Sequence, residues 1–295
     1  MVLSSGAAFD PRLDIYADDN ATRDAAVTAP VQGAETPATL ARGLAIVILT
    51  LDRADLMLPL LAALATAADR LGDRWPIDII VGDTGSTTPE LLAEYDRLAG
   101  RIIVERDMRY HFSRCNNQLF NRHVRRDLVL FLNNDVIFPD AADALEMMIA
   151  EMHAKPELGG LGAVLHYPDM TCQHAGVDML DEGPLRGLCY HPGHGATPPA
   201  RAHGESWPIM AVTGACLLTR SALFADVGGF DEAYRTECQD VALCLAMRRR
   251  GFEMAVINAG RIVHLENATR PAGSEDWQDR QRFVRKWASF MDMVR

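Results

Sequence analysis

The chain has 295 residues, 48% of them hydrophobic, and a formal net charge of −11. That length and composition suit one large domain or two small ones with a sizeable buried core. The acidic balance argues against nonspecific nucleic-acid binding, which needs a cationic surface, and leaves phosphate binding as a local event at a metal or a helix N-terminus.

MVLSSGAAFD has neither a basic start nor an apolar core, so no signal peptide is expected. Residues 1–42, rich in Ala, Asp, Pro and Thr, read as a partly disordered N-terminal extension. LAIVILTL (44–51) has the continuous apolar character of a strand buried on both faces. A helix over roughly 54–70 follows, with Leu56, Leu60, Leu61 and Leu64 on one face and Pro59 near its first turn. Its apolar run 56–68 is too short to span a bilayer. IDIIVGD (77–83) is a second strand. TTPELLAEYDRLAG then carries a Thr cap, Pro89 just inside the helix and Gly100 beyond it. RIIVE (101–105), a helix over 113–126 capped by Ser113, and DLVLFL (127–132) continue the alternation. The pattern predicts an α/β domain with a largely parallel sheet.

Beyond about residue 155 the rhythm changes. GLGAVLHYP, CQHAGVDML and ACLLTR read as strands, 181–205 as a Gly/Pro/His-rich loop and 239–252 as a helix ending at Gly251. EMAVIN and GRIVHL read as two short strands, and about 275–293 as a final helix. The organisation expected is therefore a 43–155 half and a 156–295 half of one domain, without internal repeats.

In a parallel sheet, ligands gather at the carboxyl ends of the strands. Asp52, Asp83 and Asp135 each follow or end a strand, and FLNNDV (131–136) places two amides beside the last of them. An exposed carboxylate there suits a hard divalent cation, which also keeps waters or phosphates. For Asp83 the alternative is a turn and helix cap within GDTGSTTPE. Asp240 opens a helix, where its charge also suits the helix dipole, and His264 ends a strand. Cys172/His174 and Cys189/His191 are two C-x-H pairs with a spacing that matches no common zinc module. The six cysteines contain no CxxC pair and read as reduced thiols of a cytosolic protein. There is no G-x-G-x-x-G, no GxxxxGK[ST] and no G-x-S-x-G.

In order, LAIVILTLDR, IIVGDTGSTTPE, YHFSRCNNQLFN, FLNNDV, YPDMTCQHAGV, VTGACLLTRSALFADVGGFDE and QDVALCLAMRRRGF resemble the family 2 glycosyltransferases, in particular those of O-antigen and rhamnan-type polysaccharide synthesis. The resemblance runs from about residue 44 to 290. It implies the glycosyltransferase A fold: a mostly parallel Rossmann-like sheet flanked by helices, with a small mixed sheet in the C-terminal half. The first half would bind the nucleotide sugar and the second would carry the acceptor site and catalysis. It implies Asp240 as the catalytic base, and Asp135 with His264 as ligands of Mn²⁺ or Mg²⁺. Thr50, Asp52, Arg53, Asp83, Asn117, Asn134, Gly214 and Ala215 would surround the donor. Trp207, whose aromatic face can stack on a sugar, the 181–205 loop and Gln239 are acceptor-side candidates. The chain departs from the pattern at Leu51, Asp52, Asn133, Gln239 and Ala242.

The reaction implied is inverting transfer from a UDP- or dTDP-sugar to a hydroxyl of a glycan or lipid-linked saccharide. The implied location is cytoplasmic. A lipid-linked acceptor would bring the basic residues Arg280, Arg282, Arg285 and Lys286 of the last helix toward the inner membrane or an assembly partner. The alternatives are a sugar nucleotidyltransferase, which needs a Gly-rich basic loop that LTLDRADLM does not supply, and a non-catalytic binding module of the same fold.

Overall fold

A computed structural model describes residues 40–183, 185–266 and 276–291. The extension expected over 1–42 thus falls almost wholly outside the described residues. The first strand, β1 (Ala41–Thr50), starts three residues earlier than its apolar run. Its side chains alternate between two cores. Leu44, Ile46 and Ile48 pack with Met57, Leu61 and Leu64 of α1 (Ala54–Leu71), while Ala45 and Val47 pack into the opposite core. Burial on both faces explains why β1 reads as an unbroken apolar run.

The chain alternates through β2 (Ile77–Asp83), α2 (Pro89–Arg97), β3 (Ile102–Glu105), α3 (Phe112–His123) and β4 (Arg126–Asn133). β1 pairs in parallel with β2 on one side and β4 on the other, and β3 extends β2. α3 is capped by His111, whose Nδ1 accepts from the Arg114 N–H at 3.4 Å, and not by Ser113, which is buried inside the first turn.

The second half begins with β5 (Val136–Ile137) and α4 (Ala141–Ala154), capped by Asp140. β6 (Leu158–His166), β7 (Cys172–His174), β8 (Asp178–Met179), β9 (Cys189–Tyr190), β10 (Ser206–Ile209) and β11 (Cys216–Arg220) follow. Then come α5 (Ser221–Asp226), α6 (Gln239–Arg248), β12 (Glu253–His264) and α7 (Trp277–Met291). EMAVIN and GRIVHL are one strand, β12, with a register slip between Ile257 and Ile262 where Gly260 has φ +96°. The mixed strands of this half continue the central sheet in the order β10-β12-β6-β11-β4-β1-β2-β3, and β8 and β9 form a separate two-stranded ribbon. β11 is the joint: it runs antiparallel between β4 and β6. α1 and α4 cover one face; α3, α5, α6 and α7 cover the other.

Gly43 makes the entry to β1 possible. Its φ is +137°, and a Cβ there would lie 2.4 Å from the Pro76 carbonyl oxygen, which already accepts the Leu44 N–H. Gly43→Ala should therefore lower stability by about 1–3 kcal/mol through backbone strain, read as a lower urea midpoint with an unchanged m-value.

Candidate active site

β1 sends its successor strand to one side and has β4 on the other, so the carboxyl ends of β1 and β4 open a crevice where the sheet order reverses. The crevice measures about 1020 Å³. Because β11 is antiparallel to β4, its start lies at the same edge: the Asn133 N–H donates to the Ala215 carbonyl at 3.0 Å. Thr50, Arg53, Asn134, Asp135, Gly214, Ala215, Gln239, Asp240 and His264 all line it. Asn134 Nδ2 donates to Thr50 Oγ1 at 3.0 Å, tying the two strand ends together.

Asp135 and His264 are 129 positions apart in sequence and meet through β5, whose Val136 pairs with His264 itself. The Leu265 N–H donates to the Asp135 carbonyl at 3.1 Å. His264 Nε2 lies 3.0 Å from Asp135 Oδ1 and 3.3 Å from Asn133 Nδ2. The tautomer follows from Gln173. Its Nε2 donates to the His264 carbonyl at 2.9 Å, so its Oε1 is the acceptor that faces His264 Nδ1 at 2.6 Å. Nδ1 is therefore the donor to Gln173, which leaves Nε2 facing the Asp135 carboxylate. A proton on Nε2 or a bound cation satisfies that contact, and an imidazole oriented through its other nitrogen is the usual form of a metal-ligating histidine. The donor set fits a divalent cation. Among the described residues no three His, Cys, Asp or Glu side chains converge. Two protein ligands suit a hard ion that completes its shell with water and phosphate.

Asp240 lies in the first turn of α6. Its Oδ2 accepts the Gly214 N–H at 2.7 Å and its Oδ1 accepts the Val241 N–H at 2.8 Å. Gly214 allows this close approach, since a Cβ would come within 3.3 Å of the Asp240 Cβ and push it back by a few tenths of an ångström. Burial pushes the Asp240 carboxyl above its ordinary value, and the two N–H bonds offset part of that rise. A carboxylate made more basic by its surroundings can take a proton nearer neutral pH.

Four expected contacts lie elsewhere. Asp83 is fully buried, its Oδ1 accepting the Gly85 and Ser86 N–H groups and its Oδ2 the Tyr95 hydroxyl. It builds the 84–88 turn and offers no face to the crevice. Asp52, at φ +46°, accepts from the Thr87 and Thr88 N–H groups and the Thr88 hydroxyl, so it caps α2 from a neighbouring loop. Those hydrogen bonds hold its carboxyl below the usual range. Asn117 is buried and exchanges hydrogen bonds with both the N–H and the carbonyl of Phe230; Asn116 borders the crevice in its place. Trp207 is on β10 at the sheet edge, with Arg201 over its ring at 5.2 Å. The C-x-H pairs do not assemble a zinc site: His174 faces His191 at 3.0 Å while Cys189 contacts Cys238.

The basic face of α7 is also committed. Arg280 pairs with Glu237, Lys286 with Asp231, and Arg282 with the Ala233 carbonyl and Asp279, which leaves Arg285 exposed. Arg280 and Glu237 line the crevice, as do His191, His194 and Glu266. Burial lowers His191 to about 4, so it is neutral at pH 7. Of these five, the sequence placed His191 and His194 in the 181–205 acceptor-side loop and Arg280 on the basic face of the last helix. Glu237 and Glu266 carried no such signal in the sequence. Among the described residues no helix is long and apolar enough to cross a membrane.

No family model matches the chain. It is 30% identical over 233 residues to the O-antigen biosynthesis protein RfbC of Myxococcus xanthus, covering 75% of this chain and 17% of that protein. The chain thus spans under a fifth of that relative. It is 24% identical over 222 residues to the N-acetylglucosaminyl-diphospho-decaprenol L-rhamnosyltransferase of Mycobacterium tuberculosis, covering 69% of this chain and 70% of that one. The structure of GalNAc-T7 with UDP, GalNAc and Mn²⁺ superposes with a TM-score of 0.62 at 12% identity, covering 85% of this chain and 49% of that one. The sequence resembles O-antigen and rhamnosyl transferases, and the fold is the glycosyltransferase A fold.

Asp83→Ala would orphan two N–H groups and a buried hydroxyl. It should lower stability by about 1–3 kcal/mol, measured by urea denaturation. Unchanged stability with lost nucleotide affinity would restore Asp83 as a base contact.

Proposed function

We propose that the chain is an inverting, metal-dependent family 2 glycosyltransferase of surface polysaccharide synthesis. It would move a sugar from a UDP- or dTDP-linked donor to a hydroxyl of a glycan or lipid-linked saccharide. The observation that carries this reading is the convergence of the Asp135–His264 pair and Asp240 in one crevice on this fold. The relatives and the fold neighbour described above support it.

Charge supports the metal dependence. The crevice is lined by two arginines, Arg53 and Arg280, against four carboxylates, Asp135, Glu237, Asp240 and Glu266. Arg53 already pairs with Asp55 and Arg280 with Glu237. A donor diphosphate would meet a net negative wall unless a cation came with it. Asp135 and His264 would hold Mn²⁺ or Mg²⁺, with the Asn133 amide beside them. Bound there, the ion supplies Lewis-acid stabilisation of the diphosphate leaving group.

The chain's own chemistry centres on Asp240. An acceptor alcohol is far too weak an acid to ionise at pH 7. As its oxygen bonds to the anomeric carbon and the bond to the diphosphate oxygen breaks, its proton passes to the Asp240 carboxylate. General-base help of this kind contributes roughly 10² to 10⁴-fold. One displacement with one base inverts the anomeric centre. Thr50, Arg53 and Asn134 form the donor wall, whereas Gln239 and the 188–194 segment form the acceptor side.

The test is a panel of UDP- and dTDP-sugars with Mn²⁺ or Mg²⁺, scored by metal-dependent release of nucleotide diphosphate. Asp240→Asn should lose at least about 10²-fold in kcat while donor binding stays intact; full activity in that variant would sink the base assignment. Asp135→Ala should weaken metal-dependent donor binding by more than about tenfold. Asp240 has to be ionised to act, and its pKa is raised. Wild-type kcat should therefore fall as pH drops through a midpoint above the ordinary carboxylate range and hold steady above it. Donor binding without release by any sugar would favour a binding module instead.

A further inference from the structure

The hydrogen bonds around α7 point back toward Asp240. Asp279, in the first turn of α7, is 1% exposed. Its Oδ2 accepts three successive backbone N–H groups, from Arg235 at 2.8 Å, Thr236 at 2.8 Å and Glu237 at 3.1 Å. Three consecutive N–H groups reach one oxygen only when the backbone curls them to one side, so this carboxylate dictates the conformation of 235–237. The next residue, Cys238, has φ +64° in the left-handed region, and α6 begins immediately after it. Cys238 gives α6 no side-chain cap. The direction in which the first turn leaves this loop is therefore set from outside, and Asp240 is its second residue.

We propose that Asp279 is a positioning residue for Asp240: by gathering the 235–237 N–H groups it fixes the loop that aims the first turn of α6 into the crevice. The proposal rests on the reading of Asp240 as the base. Neighbouring contacts reinforce it, because Arg280 engages Glu237 through Nε at 2.5 Å and Nη2 at 3.2 Å on the same loop. The last helix is then part of the active site by way of the loop it holds. Its removal or loosening would act on turnover more than on donor capture, since Thr50, Arg53, Asn134 and Asp135 sit on β1, β4 and the turns after them.

Lys286 is the control. It also bonds α7 to this loop, through Asp231 Oδ2 at 2.7 Å, but nine residues before Asp240. In the full chain, Asp279→Ala should lose about 10²-fold in kcat, as a displacement of about 1 Å does, while KM for the donor found in the panel stays nearly constant. Asp279→Asn keeps one oxygen for the three donors and should recover part of that loss. Lys286→Ala should leave kcat nearly unchanged at a comparable drop in melting temperature. Amide hydrogen exchange at 238–241 should quicken in both Asp279 variants and stay as in wild type in Lys286→Ala. Equal kcat losses in Asp279→Ala and Lys286→Ala, a KM rise that matches the kcat loss, or unchanged exchange at 238–241 would overturn the proposal. If Asp279→Ala fails to fold, the exchange comparison between Asp279→Asn and Lys286→Ala decides. Full activity in Asp240→Asn would instead remove the base assignment, and the exchange data would still report whether Asp279 holds the turn.

Discussion

Everything in this site depends on the way β4 is flanked: β1 lies parallel to it on one side and β11 antiparallel on the other. The parallel pairing sets the carboxyl ends of β1 and β4 side by side. The antiparallel one delivers the start of β11, with Gly214 and Ala215, to the same edge. A backbone bond from Asn133 to Ala215 closes that edge. β12 then reaches the edge from the far half of the sheet by pairing with β5, which sets His264 against Asp135. Buried backbone groups must find partners, so these pairings cannot slip without leaving unsatisfied N–H donors and carbonyl oxygens. The side chains of the crevice inherit that rigidity.

Carboxylates divide the labour between structure and chemistry. Asp52, Asp83 and Asp279 each accept two or three backbone N–H groups and hold loops: the first two shape the turn beside β1, and the third holds the loop before α6. Asp135 and Asp240 keep a face toward the crevice. Asp240 serves as many backbone donors as Asp83, so what separates them is the face that Asp240 keeps toward the crevice while Asp83 is enclosed.

The last helix fits the same account. Its cations pair with Asp231, Glu237 and the Ala233 carbonyl, so its polar face docks onto the loop that precedes α6. Its apolar residues Phe283, Val284 and Trp287 fill the core beneath. The helix closes the domain with one face and braces the candidate base with the other.

How much was legible follows from the range of each interaction. The alternation of strands and helices over 44–155, the caps at Thr88–Pro89 and the glycine stops are local, and short segments carry them. The order of motifs was enough to mark Asp135, Asp240 and His264, which do line one crevice. What the sequence could not decide is which polar residues were already satisfied. Asp83 and Asn117 read as ligand contacts because their partners, Tyr95 and Phe230, are named only by the fold. Arg280 read as surface because Glu237 lies 43 positions before it. By itself the sequence determined most of the elements and their class, and marked Asp135 and Asp240 as candidates. Only the tertiary structure decided which of those groups face the crevice, because hydrogen-bond partners distant along the chain are chosen by strand pairing and not by sequence neighbours.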